Sequence, residues 1–216
     1  MKIISSLIFI CLISIKTIAK NADSASIFSA GKIILSAGFG LHNLDKALNE
    51  NEGNSLNNNY SSFKSTGWYG PIHFRAEYGL SDKIGIGISL NYDSYGGIRN
   101  EIYMINPNGT QLYYFYKKNV NELTGLIRFN YHVMGTKKLD PYFAFGGGFR
   151  SFKTKYTTDN PYSNPSGPFN DLGAEPFPVA VEAVAGLRYY FTPHIGIYSE
   201  IGMAKSIIQI GMSVGF

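Results

Sequence analysis

Lys83-Ile84-Gly85-Ile86-Gly87-Ile88-Ser89-Leu90-Asn91-Tyr92 alternates without a break. Ile84, Ile86, Ile88, Leu90 and Tyr92 share one side of an extended chain, and Gly85, Gly87, Ser89 and Asn91 share the other, because successive strand side chains point to opposite faces. Working outward, seven more segments repeat the pattern: Lys32–Leu41, Trp68–Tyr78, Glu122–Val133, Pro141–Ser151, Val179–Phe191, Ile195–Met203 and Ile208–Phe216. Strict alternation over such lengths predicts strands, eight in all. The composition agrees. Of 216 residues 15% are aromatic, 24 are Gly and only 16% are charged, against ~25% charged in ordinary soluble domains. So aromatic a chain is not disordered, and its single Cys excludes a disulfide scaffold. Beyond the N-terminus no apolar run approaches the ~20 residues of a spanning helix. The net charge of +4 comes from scattered basic residues and argues against nucleic acid as a partner.

The second face decides what the first one touches. No Asp, Glu, Lys or Arg falls on any of the eight apolar faces. The opposite faces carry Arg75, Arg128, Arg150 and Arg188 with Glu77, Glu122, Glu182 and Glu200. Turning the apolar face inward would crowd an eight-stranded barrel with large side chains and coat its outside with Gly. The inverse arrangement, apolar out and polar in, is the transmembrane β-barrel pattern. The fold class is therefore all-β, an eight-stranded antiparallel up-and-down barrel.

Residues 1–19 read as a signal peptide: Lys2, an apolar centre from Ile3 to Ile15, and a small residue at Ala19. Cleavage near Ala19 or Ala22 would remove Cys11 and leave residues 20–31 as a short periplasmic N-terminal segment before the barrel, 32–216. Connections alternate long and short. The long ones are His42–Gly67, Gly96–Asn119 and Thr154–Phe177; the short ones are Gly79–Asp82, Met134–Asp140 and Thr192–His194, with a tight Lys205-Ser206 at the last hairpin. Short periplasmic turns and long outer loops are the rule for such barrels, so three long extracellular loops are expected. Asn106-Pro107-Asn108-Gly109 is a turn signal inside the second of them, which suggests that its flanking strands continue as a hairpin above the membrane.

Four features carry a resemblance: Tyr78-Gly79-Leu80-Ser81-Asp82-Lys83 before an Ile/Gly strand, Asp140-Pro141-Tyr142-Phe143 leading into Gly146-Gly147-Gly148, Gly186–Phe191 followed by Ile195–Glu200, and a last strand ending in Phe216. With them the chain resembles small outer-membrane β-barrel proteins of the porin-like or OmpA-like transmembrane type. The resemblance implies a bacterial outer-membrane location, contact with outer-membrane lipid, and periplasmic chaperones and barrel-assembly machinery as partners in biogenesis. It further implies that Ile208, Ile210, Met212, Val214 and Phe216 form the C-terminal assembly signal. With Phe216 as the last residue, the peptidoglycan-binding domain that follows in some relatives is not expected.

Three groups are candidates for function. The first is the lumen charge network of Arg75, Glu77, Glu122, Arg128, Arg150, Glu182, Arg188 and Glu200, four of each sign, read as a paired plug because the interior is narrow and unpaired buried charge is costly. The second is Tyr113, Tyr114, Phe115 and Tyr116 in the second loop, which suit either an unknown extracellular or membrane partner or an aromatic girdle. The third is His73 and His132 with Ser89 or Ser213, whose spacing specifies no catalytic triad. His42, His73, His132 and His194 show no metal-ligand spacing, and the Gly-rich stretches open no helix and are not phosphate loops. No catalytic residue, cofactor or metal is expected. The function expected is structural or surface interaction, with a narrow porin-like channel as the alternative. A lipid-modifying enzyme and a soluble lipocalin-like binder are the remaining readings.

Overall fold

The computed structural model describes residues 27–43, 60–67, 70–133, 136–162, 164, 166 and 178–216. The expected signal peptide and its cleavage sites lie outside the described residues, as do most of the first and third expected loops. Among the described residues nine strands form: β1 Ile33–Asn43, β2 Tyr60–Gly67, β3 Ile72–Gly79, β4 Ile84–Ile105, β5 Gln111–His132, β6 Leu139–Thr158, β7 Val179–Tyr190, β8 Ile195–Met203 and β9 Ser206–Gly215. Among the described residues there is no helix.

All neighbours pair antiparallel in the order β2-β4-β3-β1-β9-β8-β7-β6-β5, and β4 also pairs with β5, which closes the sheet. First and last strands meet from Ile34↔Gly215 to Asn43↔Ser206. Closure leaves the barrel wall without an edge. Eight wall positions hold nine strands because β2 and β3 lie end to end along β4: β2 pairs with Tyr95–Glu101 and β3 with Gly85–Tyr92. The break between them follows from the residues there. Gly67 has φ 123°, which disfavours any L side chain. A Cβ on Gly70 would stand 1.7 Å from the Gly40 carbonyl oxygen, and Pro71 has no N–H to give a ladder.

Three expected boundaries move, the first at the third loop, which was expected to begin at Thr154 although β6 stays paired with β5 through Thr158. The stretch His42–Gly67, taken as loop, contains β2 in its last eight residues, because Lys64–Gly67 find partners on a lengthened β4. The second strand was expected to begin at Trp68; ordered pairing starts at Ile72, and residues 68–69 lie outside the described ones. The hairpin expected around Asn106–Gly109 is present: β4 and β5 stay paired from Ile84↔Tyr131 to Ile105↔Gln111, with Gly109 N bonded to Asn106 O at 2.8 Å. At 22 residues each, β4 and β5 are about twice the ~9–11 residues that cross a bilayer, and β6, at 20, nearly so. Their far halves rise with β2 as a four-stranded arm.

The faces are sorted as the alternation required. Phe74, Ile88, Ile127, Phe145, Phe149, Val181, Ile201 and Met212 stand exposed on the outside, Phe149 at 74%. Ser89, Arg128, Asn130, Glu182, Glu200 and Gln209 are buried inside. An apolar exterior of this extent marks a surface that meets another apolar phase. Small residues on the inner face admit large ones opposite. A Cβ on Gly186 would sit 2.3 Å from the Tyr142 ring, and one on Gly38 would sit 2.5 Å from the Tyr198 hydroxyl.

Candidate functional site

The lumen is filled by ion pairs in three tiers. Strand alternation places one inward residue every second position, so successive levels of the wall turn polar or small side chains into the lumen. At the end with the short turns, Arg188 reaches Glu77 Oε2 at 2.5 Å and Asp140 Oδ2 at 3.1 Å. His132 lies between the same two carboxylates, Nε2 to Glu77 Oε1 and Nδ1 to Asp140 Oδ1, each 2.7 Å. Ionised carboxylates only accept hydrogen bonds, so both contacts are satisfied when the ring carries an N–H on each nitrogen. Phe28, 1% exposed, stacks on that ring with centroids 3.4 Å apart and planes within 10°. Phe28 thus covers the His132 ring at this end of the barrel.

The middle tier joins strands across the lumen. Arg128 on β5 bridges Glu182 on β7 and Glu200 on β8, both at 2.8 Å. Arg75 on β3 meets Glu200 at 3.1 Å and donates to Gln209. Tyr142 donates its hydroxyl proton to Glu200 Oε1 at 2.7 Å, while its ring lies 4.3 Å from the Arg188 guanidinium carbon. Between this tier and the one below is a void of about 10 Å³ lined by Ser36, Arg75, Glu77, Arg128, Asn130 and Arg188, room for about one water.

At the arm end Lys205 turns inward from the β8–β9 connection to Glu122 and to Asp93, the latter at 3.8 Å. Thr124 also donates to Glu122, at 2.9 Å. Arg150 stands 4.0 Å from Glu122, its side chain 20% exposed, and is the loosest member of the set.

All eight charges named from the sequence face the lumen, but they are not a closed set of four pairs. Asp93, His132, Asp140 and Lys205 belong to the same network. Asp93 and Asp140 continue the inward series of Asn91 and Tyr142, and that parity could have found them. Lys205 sits at a hairpin end, where alternation gives no signal. Among the described residues of the lower two tiers, three guanidiniums and His132 face Glu77, Asp140, Glu182 and Glu200.

The other candidates are dispersed. Ser89 donates to Asn91 Oδ1 at 3.0 Å, the oxygen that His73 Nδ1 approaches at 2.7 Å. Ser213 bonds to Ser36 at 2.8 Å, and His194 Nδ1 lies 2.9 Å from Gly215 O. The side chain of His42 is outside the described set. Of the loop aromatics, Tyr113 and Phe115 are exposed on the outer face of the arm. Tyr116 is buried on its inner face, donating to Glu101 Oε2 at 2.7 Å and accepting from Asn160 Nδ2 at 2.8 Å; Tyr114 is half-buried beside it in the ladder.

A closed eight-stranded antiparallel barrel, apolar outside and ion-paired inside, defines the class: a small β-barrel of the membrane type. The chain is similar in shape to outer membrane protein OprG from Pseudomonas aeruginosa, at 13% identity over 89% of this chain and 99% of that one, with a TM-score of 0.48. It is similar to outer membrane protein W of E. coli (12% identity, 87% and 99% covered, TM-score 0.40) and to Ail, the attachment invasion locus protein of Yersinia pestis (11%, 87% and 99%, TM-score 0.38). No protein-family model and no curated protein sequence matches the chain. The fold assignment stands on strand pairing and on the sorting of the faces.

Proposed function

We propose that the protein is an integral bacterial outer-membrane barrel with a structural or surface-interaction role, its lumen closed by ion pairs rather than open to solutes. One observation carries this reading: Arg75, Arg128 and Arg188 reach carboxylates on other strands across the lumen, with Tyr142 packed among them. Eight strands enclose little more than their own side chains, and these side chains are mutually bonded. Surface function then falls to the arm and the outer loops, where Tyr113, Phe115 and Tyr162 are exposed rings. The apolar outer residues Ile208, Ile210, Met212 and Val214, with Phe216, serve as the assembly signal. No catalytic chemistry is assigned to the barrel.

Conductance of the protein refolded into planar bilayers tests the closed lumen. No steady porin-sized conductance is expected, and its appearance would promote the narrow-channel reading. Heat-dependent gel mobility tests the membrane barrel itself, since a soluble lipocalin-like fold would not resist detergent in this way.

A further inference from the structure

On the outer face of the arm, immediately beyond the apolar belt, the exterior changes from hydrocarbon-like to basic. Leu123 and Phe149 are exposed at the top of the belt. Four residues beyond Phe149 along β6, past the outward Ser151, stands Lys153, paired with Asn121, and two beyond that Lys155, paired with Asn119. Lys117 follows on β5 opposite Ile98, and Lys64 on β2 faces Ile98 from the other side. Buried Tyr116 and Val120 point inward, so alternation turns Lys117, Asn119 and Asn121 outward with the other lysines. Neighbouring strands lie about 4.8 Å apart, which places the four ammonium groups in one band across the arm. Among the described residues, none of β2, β4, β5 and β6 turns an Asp or Glu outward in this band. The acid just past it, Asp159, is held by the Phe115 amide at 2.8 Å.

Lysines on a free edge also discourage strand-to-strand association. That role does not account for Lys117, which sits on an interior strand paired on both sides. We propose that this lysine band is a docking surface for the phosphorylated sugar headgroups of the lipid whose chains cover the belt below. The occupant follows from continuity and charge. Whatever lipid touches Leu123 and Phe149 carries its headgroup at the height of the band, and four cations without an acid call for anionic groups there. The neutral amides of Asn119 and Asn121 suit sugar hydroxyls. Among the described residues of the opposite wall, β7 to β9 and β1, no lysine stands outward beyond the belt.

The proposal rests on the membrane reading, and the test separates the two. Wild-type protein and a Lys64→Gln/Lys117→Gln/Lys153→Gln/Lys155→Gln variant are inserted into phosphatidylcholine vesicles doped with a bisphosphorylated diglucosamine lipid. Lipid retained after mild extraction is counted by native mass spectrometry. Wild type is expected to retain the phosphorylated lipid at least about tenfold better than the variant, and better than the same lipid stripped of phosphate. Lys83→Gln/Lys137→Gln/Lys138→Gln, which removes exposed charge at the opposite end, should retain it like wild type. Raising salt from about 50 to 500 mM should release it from the wild type, a readout that needs no variant. Equal retention by wild type and the four-lysine variant, or salt-independent retention, overturns the proposal while leaving the membrane barrel standing. Displacement by inorganic pyrophosphate at matched concentration overturns the lipid as occupant in favour of a soluble anion. Failure of the wild type to insert at all brings down the membrane reading and this one with it.

Discussion

β4, β5 and β6 run for 20 to 22 residues, whereas β7, β8, β9 and β1 run for 9 to 12. Both sides of the wall cross the same belt, and there they obey the same rule: apolar side chain out, polar side chain in. They part company above it. Along β5 the outward series passes from Phe129, Ile127 and Leu123 to Asn121, Asn119 and Lys117, while the inward series goes from Arg128 and Glu122 to Val120 and Tyr116. Alternation persists, but from Asn121 to Lys117 the outward side chains are polar, before Phe115 and Tyr113 resume an aromatic face. The difference shows that the surrounding medium sets side-chain polarity, while pairing with a neighbour sets strand length. The short strands stop where their partners stop; β4 and β5 continue because each supplies the other with a ladder.

The largest effect that would break this comparison lies in the lumen. Glu200 is met by Arg75, Arg128 and the Tyr142 hydroxyl. Glu200→Ala leaves two guanidiniums short of a partner in a dry site and should lower stability by about 3–5 kcal/mol, read from urea unfolding of the vesicle-inserted protein. A change within about 1 kcal/mol would mean that water already reaches this level, and the plug would have to be redrawn as a wet pore.

A smaller effect sharpens the boundary between belt and arm. Ile127 is 66% exposed on the belt, so Ile127→Arg should cost about 2–4 kcal/mol by the same measurement. Asn119→Arg, outward on the same strand but in the arm, should cost less than about 0.5 kcal/mol. Equal costs at the two positions would erase the distinction.

The smallest effect belongs to the arm alone. Tyr116→Phe removes the hydroxyl that donates to Glu101 and accepts from Asn160, worth about 0.5–1.5 kcal/mol. It should quicken protease cutting near residues 106–110 without shifting the unfolding midpoint of the barrel. A shift in that midpoint would show that arm and barrel unfold as one unit.

Much of this was legible beforehand. The eight segments were found by alternation, and the hairpin above the belt by Asn106–Gly109. β2 was missed because its sequence, Tyr60-Ser-Ser-Phe-Lys-Ser-Thr-Gly67, lacks an apolar face. A strand lying against the polar reach of β4 has no hydrocarbon to match and needs none. Phe28 was missed for a related reason: it belongs to no strand, and its stacking on the His132 ring appears only in the folded chain.

The sequence by itself determined which side of every strand faces out, because the side-chain period is two and a slip of one residue would turn each charged face toward lipid. Only the tertiary structure decided which charges meet. Arg128 pairs with Glu182 and Glu200, two strands and three strands away around the wall, and Lys205 reaches back to Glu122. Such partners depend on the stagger with which the sheet closes and on the height at which each side chain enters the lumen. Those quantities exist only after β1 has met β9.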